Sequence, residues 1–189
     1  MMTNVVLGLG SNTNYKSMSP LEILAAASAR LERILEGAIF SSVYETRPMY
    51  YEAQENFFNL IACGFVSENV SPLELLETVN AIEAEFGRNR NEEQRFGPRP
   101  LDIDIEEFGV VKMNTDRLIL PHPRMRERQF VLVPLLEILE KSADFNKKEE
   151  MRKLVGKLPD QGVRKCSCEV QQRFSRLEKE YFQSQSLKF

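Results

Sequence analysis

The chain carries the same four residues twice, Ser19-Pro20-Leu21-Glu22 and Ser71-Pro72-Leu73-Glu74, each between two runs of strand-forming residues. Serine as N-cap, proline at the first helical position and glutamate at the third form a capping box with the proline that a first helical turn tolerates. Each tetrad therefore starts a helix. Leu21, Leu24, Ser28, Leu31 and Leu35 then fall on one stripe that meets Gly37. Leu75, Leu76, Val79, Ile82 and Phe86 fall on another that meets Gly87, and both glycines suit a left-handed C-cap. The flanking runs Val5–Leu9, Ile39–Glu45, Phe57–Val66 and Leu101–Glu107 are too short and bounded for helices and predict strands. Two consecutive βαβ units of this size predict an α+β fold, a ferredoxin-like split βαβ sandwich. Its sheet is largely antiparallel, with helices on one face and a ligand cleft lined by long loops on the other.

Beyond Pro121-His122-Pro123, the apolar run Phe130–Leu139 predicts a further helix with Pro134 near its start. Glu149–Leu158 and Ser167–Gln183 predict two more, and Ser184 to Phe189 is expected to fray. With 189 residues the chain fits one domain. Residues 1–166 are expected to form it and residues 167–189 a C-terminal extension, which either packs on the domain or meets a partner. No stretch approaches the roughly 18 apolar residues that span a bilayer, so no membrane association is expected. Met1 to Gly10 lacks the features of a secretory signal, and Cys63, Cys166 and Cys168 make no disulfide framework. A cytoplasmic monomer is the simplest expectation.

Chemistry concentrates in Arg95-Phe96-Gly97-Pro98-Arg99-Pro100-Leu101-Asp102-Ile103-Asp104. Residues two apart on a strand share a face, so Asp102 and Asp104 project together while Leu101, Ile103 and Ile105 face the core. Paired carboxylates repel unless a cation lies between them, and they are hard oxygen ligands suited to Mg²⁺. An isolated Asp-x-Asp is more often the wet face of a strand. Here the setting differs. Arg88, Arg90, Arg95 and Arg99 precede the pair, and Arg117, Arg124, Arg126 and Arg128 follow it around His122. Carboxylates beside convergent arginines are what phosphoryl-type transfer needs, namely charge neutralisation and positioning. Two arginine clusters on a chain of net charge -3 point to a bound anion rather than a nucleic acid. Arg88, just after Gly87, and Arg99, locked between two prolines, are held near the acidic pair and are the expected phosphate clamps. His122, flanked by prolines, is expected to contact a phosphate. Gly8-Leu9-Gly10-Ser11-Asn12 lacks the endings of both phosphate-loop and dinucleotide fingerprints, and a tight turn explains it equally well.

These residues resemble 6-hydroxymethyl-7,8-dihydropterin pyrophosphokinases, enzymes of folate synthesis. The resemblance rests on Leu9-Gly10-Ser11-Asn12, Tyr44-Glu45-Thr46-Arg47-Pro48, Phe57-Phe58-Asn59, the Arg95–Asp104 segment and Pro121-His122-Pro123. It implies transfer of diphosphate from ATP to the pterin hydroxymethyl group with release of AMP, and two Mg²⁺ ions on Asp102 and Asp104. It implies catalytic roles for Arg88 and Arg99. ATP contacts fall on Glu83, Arg90, Arg95, Arg117, His122 and Arg128. A pterin pocket falls on Thr46, Pro48, Phe57, Asn59 and Phe130, with aromatic faces suited to a flat bicycle. Phe96 stands where the family commonly has tryptophan, and Glu106 breaks an expected aliphatic run. Two other classes fit parts of this pattern. An RNA-binding sheet disfavours two carboxylates beside phosphates, and a metal-dependent nucleotidyltransferase releases pyrophosphate instead of AMP.

Overall fold

The computed structural model describes residues 1–48, 53–89 and 97–186. In chain order the elements are β1 (Met2–Ser11), α1 (Pro20–Leu31), β2 (Glu36–Phe40), β3 (Tyr44–Thr46), β4 (Phe57–Ser67) and α2 (Pro72–Glu85). Then come β5 (Asp102–Phe108), β6 (Met113–Asn114), β7 (Ile119–Leu120), α3 (Gln129–Glu140), α4 (Phe145–Lys157), β8 (Arg164–Lys165) and α5 (Cys168–Ser186). Both predicted capping boxes form: Ser71 Oγ accepts from the Glu74 N–H, while Glu22 and Glu74 carboxylates accept from the N–H groups of Ser19 and Ser71. Gly87 ends α2 with φ +84 as expected. The end of α1 differs: the helix stops at Leu31, and Gly37 (φ +62) lies in β2, where the register to β4 shifts between Glu36 and Ile39. The strand predicted from Ile39 to Glu45 is likewise two, broken at Ser41–Val43.

The main sheet runs β5-β1-β4-β3-β8, with β2 also on β4, and every pairing is antiparallel. Strand alternation divides its residues between two cores. Val5, Leu7, Leu9, Leu60, Ala62, Leu101, Ile103 and Ile105 pack against α1 and α2 on one face. Val6 and Ile61 face the other way, toward Leu132, Leu135 and Ile138 of α3 and Met151 of α4. The expectation of helices on one face therefore holds for α1 and α2 but not for α3 and α4. The strongly apolar α3 needs a second surface to bury against, and Val6 of β1 and Ile61 of β4 supply part of it. Only part of that face is covered, and the uncovered part is the cleft.

The C-terminal segment packs on the domain. β8 adds to the free edge of β3, and α5 lies along α1 with Phe174, 4% exposed, in the main core. α5 stays helical to Ser186, past the point where fraying is expected. No helix of the described residues is long and apolar enough to cross a membrane. Because Phe174 ties α5 to the core, Phe174→Ala is expected to lower unfolding stability by about 3 kcal/mol in urea denaturation. A loss below about 1 kcal/mol would mean that α5 contributes no core packing.

Candidate active site

The cleft floor is β1, and its two glycines are what make it a floor. Gly8 pairs with Asp104 and Ile61, and Gly10 with Asp102 and Asn59. A Cβ at Gly10 would stand 3.0 Å from Asn59 Oδ1, and one at Gly8 3.1 Å from Glu106 Oε1. Gly8-Leu9-Gly10 is therefore strand, not a tight turn, and its missing side chains leave room for the polar groups of both neighbouring strands. Gly8, Gly10, Thr46, Pro48, Phe57, Asn59, Arg99, Asp102, Asp104, Glu106, Arg128 and Phe130 all line this one cleft.

At one end sits the predicted carboxylate pair. Asp102 Oδ1 accepts from Arg88 Nη1 and Oδ2 from Arg99 Nη1 at 3.1 Å. Asp104 Oδ2 accepts from Arg128 Nη1 at 3.2 Å and stands 4.0 Å from His122 Nε2. Arg88 is placed by Glu83, which is 1% exposed and accepts from both the guanidinium and the Ile103 N–H (2.7 Å). Arg99 is placed by Asn12: its N–H donates to Asn12 Oδ1 at 2.8 Å, and the Asn12 N–H donates back to the Arg99 carbonyl. Asn12 Nδ2 also donates to Gln54 Oε1 and the Glu55 carbonyl, so one buried amide joins three loops around the cleft. Arg128 precedes α3, whose start is fixed by reciprocal bonds between Gln129 and Gln161 and by Gln161 Nε2 on the Glu127 carbonyl.

The rest of the lining is more apolar and includes the Asn59 amide. Asn59 Nδ2 donates to Thr46 Oγ1 at 2.8 Å, which orients Asn59 against Gly10. Phe57 and Phe130 line the same space, and the Arg128 guanidinium lies over the Phe130 ring at 5.2 Å. A flat heterocycle between aromatic walls, reaching Asn59 and Thr46 with its edge, is the ligand shape this part accepts.

Electrostatics favour a cation at the carboxylates. Partial burial at the cleft floor, then the Asp102 charge, pushes the Asp104 carboxyl up to about 6, an effect that water tempers because the side chain stays 36% exposed. Glu106, on the same strand face, is pushed well above the usual range by burial and then by Asp104. His122 is lowered to about 4, first by burial and then by Arg128 and Arg124, so its imidazole is neutral at pH 7. Among the described residues no three His, Cys, Asp or Glu side chains are placed to hold a metal alone. A cation at Asp102 and Asp104 would therefore share its coordination with ligand oxygens, which suits Mg²⁺ on a phosphate chain. Carboxylates that already draw three guanidiniums fit such an ion.

The structure thus brings together Arg88, Arg99, Asp102, Asp104, His122, Arg128, Thr46, Pro48, Phe57, Asn59 and Phe130. Glu83 is enclosed beneath them rather than lining the cleft. Arg117 stands apart on the surface, paired with Glu77 at 3.0 Å. Arg90, Arg95 and Phe96 lie outside the described residues. Gln54 and Glu106 also line the cleft, and neither they nor Asn12 is predicted from the sequence to contact a ligand. Nothing local in the sequence foretells contacts between loops 42 residues apart, such as Asn12 with Gln54.

The sequence model of the family described as 7,8-dihydro-6-hydroxymethylpterin-pyrophosphokinase (HPPK) matches residues 6–140, more than half of the chain. The chain belongs to the HPPK family. The matched segment runs from β1 through α3 and contains the whole HPPK cleft, whereas α4, β8 and α5 lie beyond it. The chain is 48% identical over 100 residues to 2-amino-4-hydroxy-6-hydroxymethyldihydropteridine pyrophosphokinase of Bacillus subtilis, covering 53% of this chain and 58% of that one. It is 36% identical over 165 residues to the Methylorubrum extorquens protein of the same name, covering 86% and 98%. Against the mitochondrial folate synthesis bifunctional protein of Arabidopsis thaliana it is 38% identical over 144 residues, 74% of this chain but only 24% of that one. Several relatives thus extend well beyond the part that this chain spans. The fold matches the HPPK-DHPS crystal structure of Plasmodium falciparum with a TM-score of 0.57 at 18% identity, covering 83% of this chain and 41% of that one.

The raised Asp104 carboxyl has a measurable consequence in the ligand-free chain. It costs nothing below its ordinary value of 3.8 and destabilises the fold progressively as pH rises to about 6. His122 works in the opposite direction over an overlapping interval, so only a comparison of variants isolates Asp104. Asp104→Asn, whose amide oxygen can still accept from Arg128, is expected to give a Tm higher relative to wild type at pH 7.5 than at pH 4, by only about a degree or two because the side chain is 36% exposed. A difference independent of pH would contradict a carboxyl raised by burial and by the Asp102 charge.

Proposed function

We propose that the chain transfers diphosphate from ATP to the hydroxymethyl group of 6-hydroxymethyl-7,8-dihydropterin, releasing AMP, as a Mg²⁺-dependent step of folate synthesis. The observation that carries this reading is the polarity of one cleft: paired carboxylates among three guanidiniums in one part, and the Asn59 amide with the Phe57 and Phe130 rings in the rest of its lining. A phosphate chain suits the first part and a pterin the second, which sets the hydroxymethyl group between them. The strand order β5-β1-β4-β3 and the placement of α1 and α2 on one face support a ferredoxin-like framework for this site.

In this mechanism Asn59 and Thr46 orient the pterin edge while Phe57 and Phe130 hold its faces. The pterin hydroxyl oxygen forms a bond to the β-phosphorus as the bond from that phosphorus to the bridging oxygen of AMP breaks. The hydroxyl proton leaves to solvent. Magnesium ions held by Asp102 and Asp104, two by family resemblance, would neutralise phosphate charge. Arg88 and Arg99 reach the same place and stabilise the charge that grows in the transition state. His122, neutral, offers its Nε2–H to a phosphate oxygen. Glu83 acts through Arg88, and Arg90 and Arg95 are further arginines for the nucleotide.

Incubation with Mg-ATP and the hydroxymethyl-dihydropterin, followed by product analysis, is expected to yield AMP and the pterin diphosphate. Release of inorganic pyrophosphate instead, or no pterin-dependent AMP, contradicts the proposal. Asp104→Ala is expected to lower turnover by about 100-fold or more. Asn59→Ala is expected chiefly to raise the pterin KM, by about tenfold, with a smaller effect on kcat.

A further inference from the structure

Two buried polar atoms in the cleft lack hydrogen-bond partners among the described residues, and they are complementary. One is the acceptor Glu106 Oε2, the other the donor Arg128 Nε. Glu106 is 1% exposed and Arg128 7%, so neither atom recovers the hydration it loses on folding. Both residues line the same cleft.

The backbone explains how Glu106 comes to be there. The register between β1 and β5 shifts at Val6/Leu7, with Val6 opposite Glu107 and Leu7 opposite Ile105. Glu106 is the extra residue of this bulge, and bulges re-aim side chains beside functional sites. Its Oε1 lies over Gly8, where a Cβ would come within 3.1 Å. Its Oε2 is 3.7 Å from His122 Nδ1, but that nitrogen already accepts from the Arg124 N–H at 3.3 Å. His122 as placed is therefore no donor to Glu106.

Arg128 holds Asp104 Oδ2 through Nη1 and rests on Phe130. A cation coordinated by Asp104 competes with Nη1 for that carboxylate's electron density and loosens its hold on Arg128. The loosened guanidinium then gains from another acceptor inside the cleft, and Glu106 has a spare oxygen two residues along the same strand face. We propose that Glu106 is a positioning residue for Arg128: it takes over the guanidinium when Asp104 turns to metal and nucleotide, and so keeps Arg128 against Phe130 and aimed at the phosphates. The inference rests on the functional reading above. It also explains why a carboxylate occupies a strand position beside Gly8 and Ile61 where an aliphatic side chain would pack without cost.

The test is a double-mutant cycle on binding of Mg²⁺ with a non-hydrolysable ATP analogue, using wild type, Glu106→Leu, Arg128→Ala and the double variant, with Tm of each ligand-free protein. Glu106→Leu is expected to weaken binding about tenfold while raising the ligand-free Tm. The double variant is expected to bind no more weakly than Arg128→Ala alone. Glu106→Gln, which retains an acceptor oxygen, falls between wild type and Glu106→Leu. In ¹⁵N spectra, the Arg128 Nε–H gains protection from exchange when the magnesium nucleotide binds wild type, and not in Glu106→Leu. Losses that add in the double variant, wild-type binding by Glu106→Leu, or a lowered Tm in Glu106→Leu would each overturn the proposal. If wild type itself fails to bind the magnesium nucleotide, the functional reading has failed and this inference falls with it. That outcome is distinct because the defect then precedes any substitution.

Discussion

Two carboxylates on one face of one strand set the terms for the rest of the site. Asp102 and Asp104 are two residues apart on β5, so the extended backbone aims both at the same space and leaves their charges to be balanced from outside the strand. Arg88 comes from the end of α2, Arg99 from the loop before β5, and Arg128 from the start of α3. Each is itself held in place: Arg88 by Glu83, Arg99 by Asn12, and Arg128 by the Gln129–Gln161 clasp at the helix start beside it. Removing the carboxylates would leave three converging guanidiniums with no common partner. The loops are arranged around that one electrostatic need.

The sheet makes this possible by treating its two faces differently. One face is filled by aliphatic residues under α1 and α2, which supply the apolar burial that a chain of this size needs. The other is covered by α3 and α4 only over Val6, Ile61 and Cys63. Where Gly8 and Gly10 remove side chains from β1, Asn59 of β4 and Asp102, Asp104 and Glu106 of β5 lean in from either side. Rigid strands therefore carry the groups that must be held accurately, which is the arrangement that positioning-based catalysis demands. The C-terminal segment reinforces the same wall. Gln161 clasps the start of α3, and β8 caps β3 next to Thr46.

Much of this is readable in the sequence where the cause is local. The capping boxes at Ser19 and Ser71, the left-handed Gly87 and the shared face of Asp102 and Asp104 each depend on residues within a few positions of one another. Reading fails where the cause is distant. Gly37 looks like a helix terminator, yet the helix ends at Leu31 and the glycine serves a register shift between β2 and β4. Gly8 and Gly10 look like a turn because their purpose, clearance for Asn59 and Glu106, belongs to other strands. The second core under α3 is hidden because Val6 and Ile61 read as parts of continuous apolar runs. Arg117 counts toward a cluster in sequence, but the β6–β7 hairpin turns it to Glu77. Asn12 is the clearest case, since its importance lies in contacts with Gln54, Glu55 and Arg99.

The central claim is that Asp102 and Asp104 gather a divalent cation onto a nucleotide's phosphates. The most direct measurement is Mn²⁺ electron paramagnetic resonance in the presence of a non-hydrolysable ATP analogue, comparing wild type with Asp102→Asn and Asp104→Asn. The account predicts protein-bound Mn²⁺ that depends on the nucleotide in wild type and falls sharply in either variant, while the far-ultraviolet circular dichroism is unchanged. Equal Mn²⁺ binding by all three proteins would contradict it.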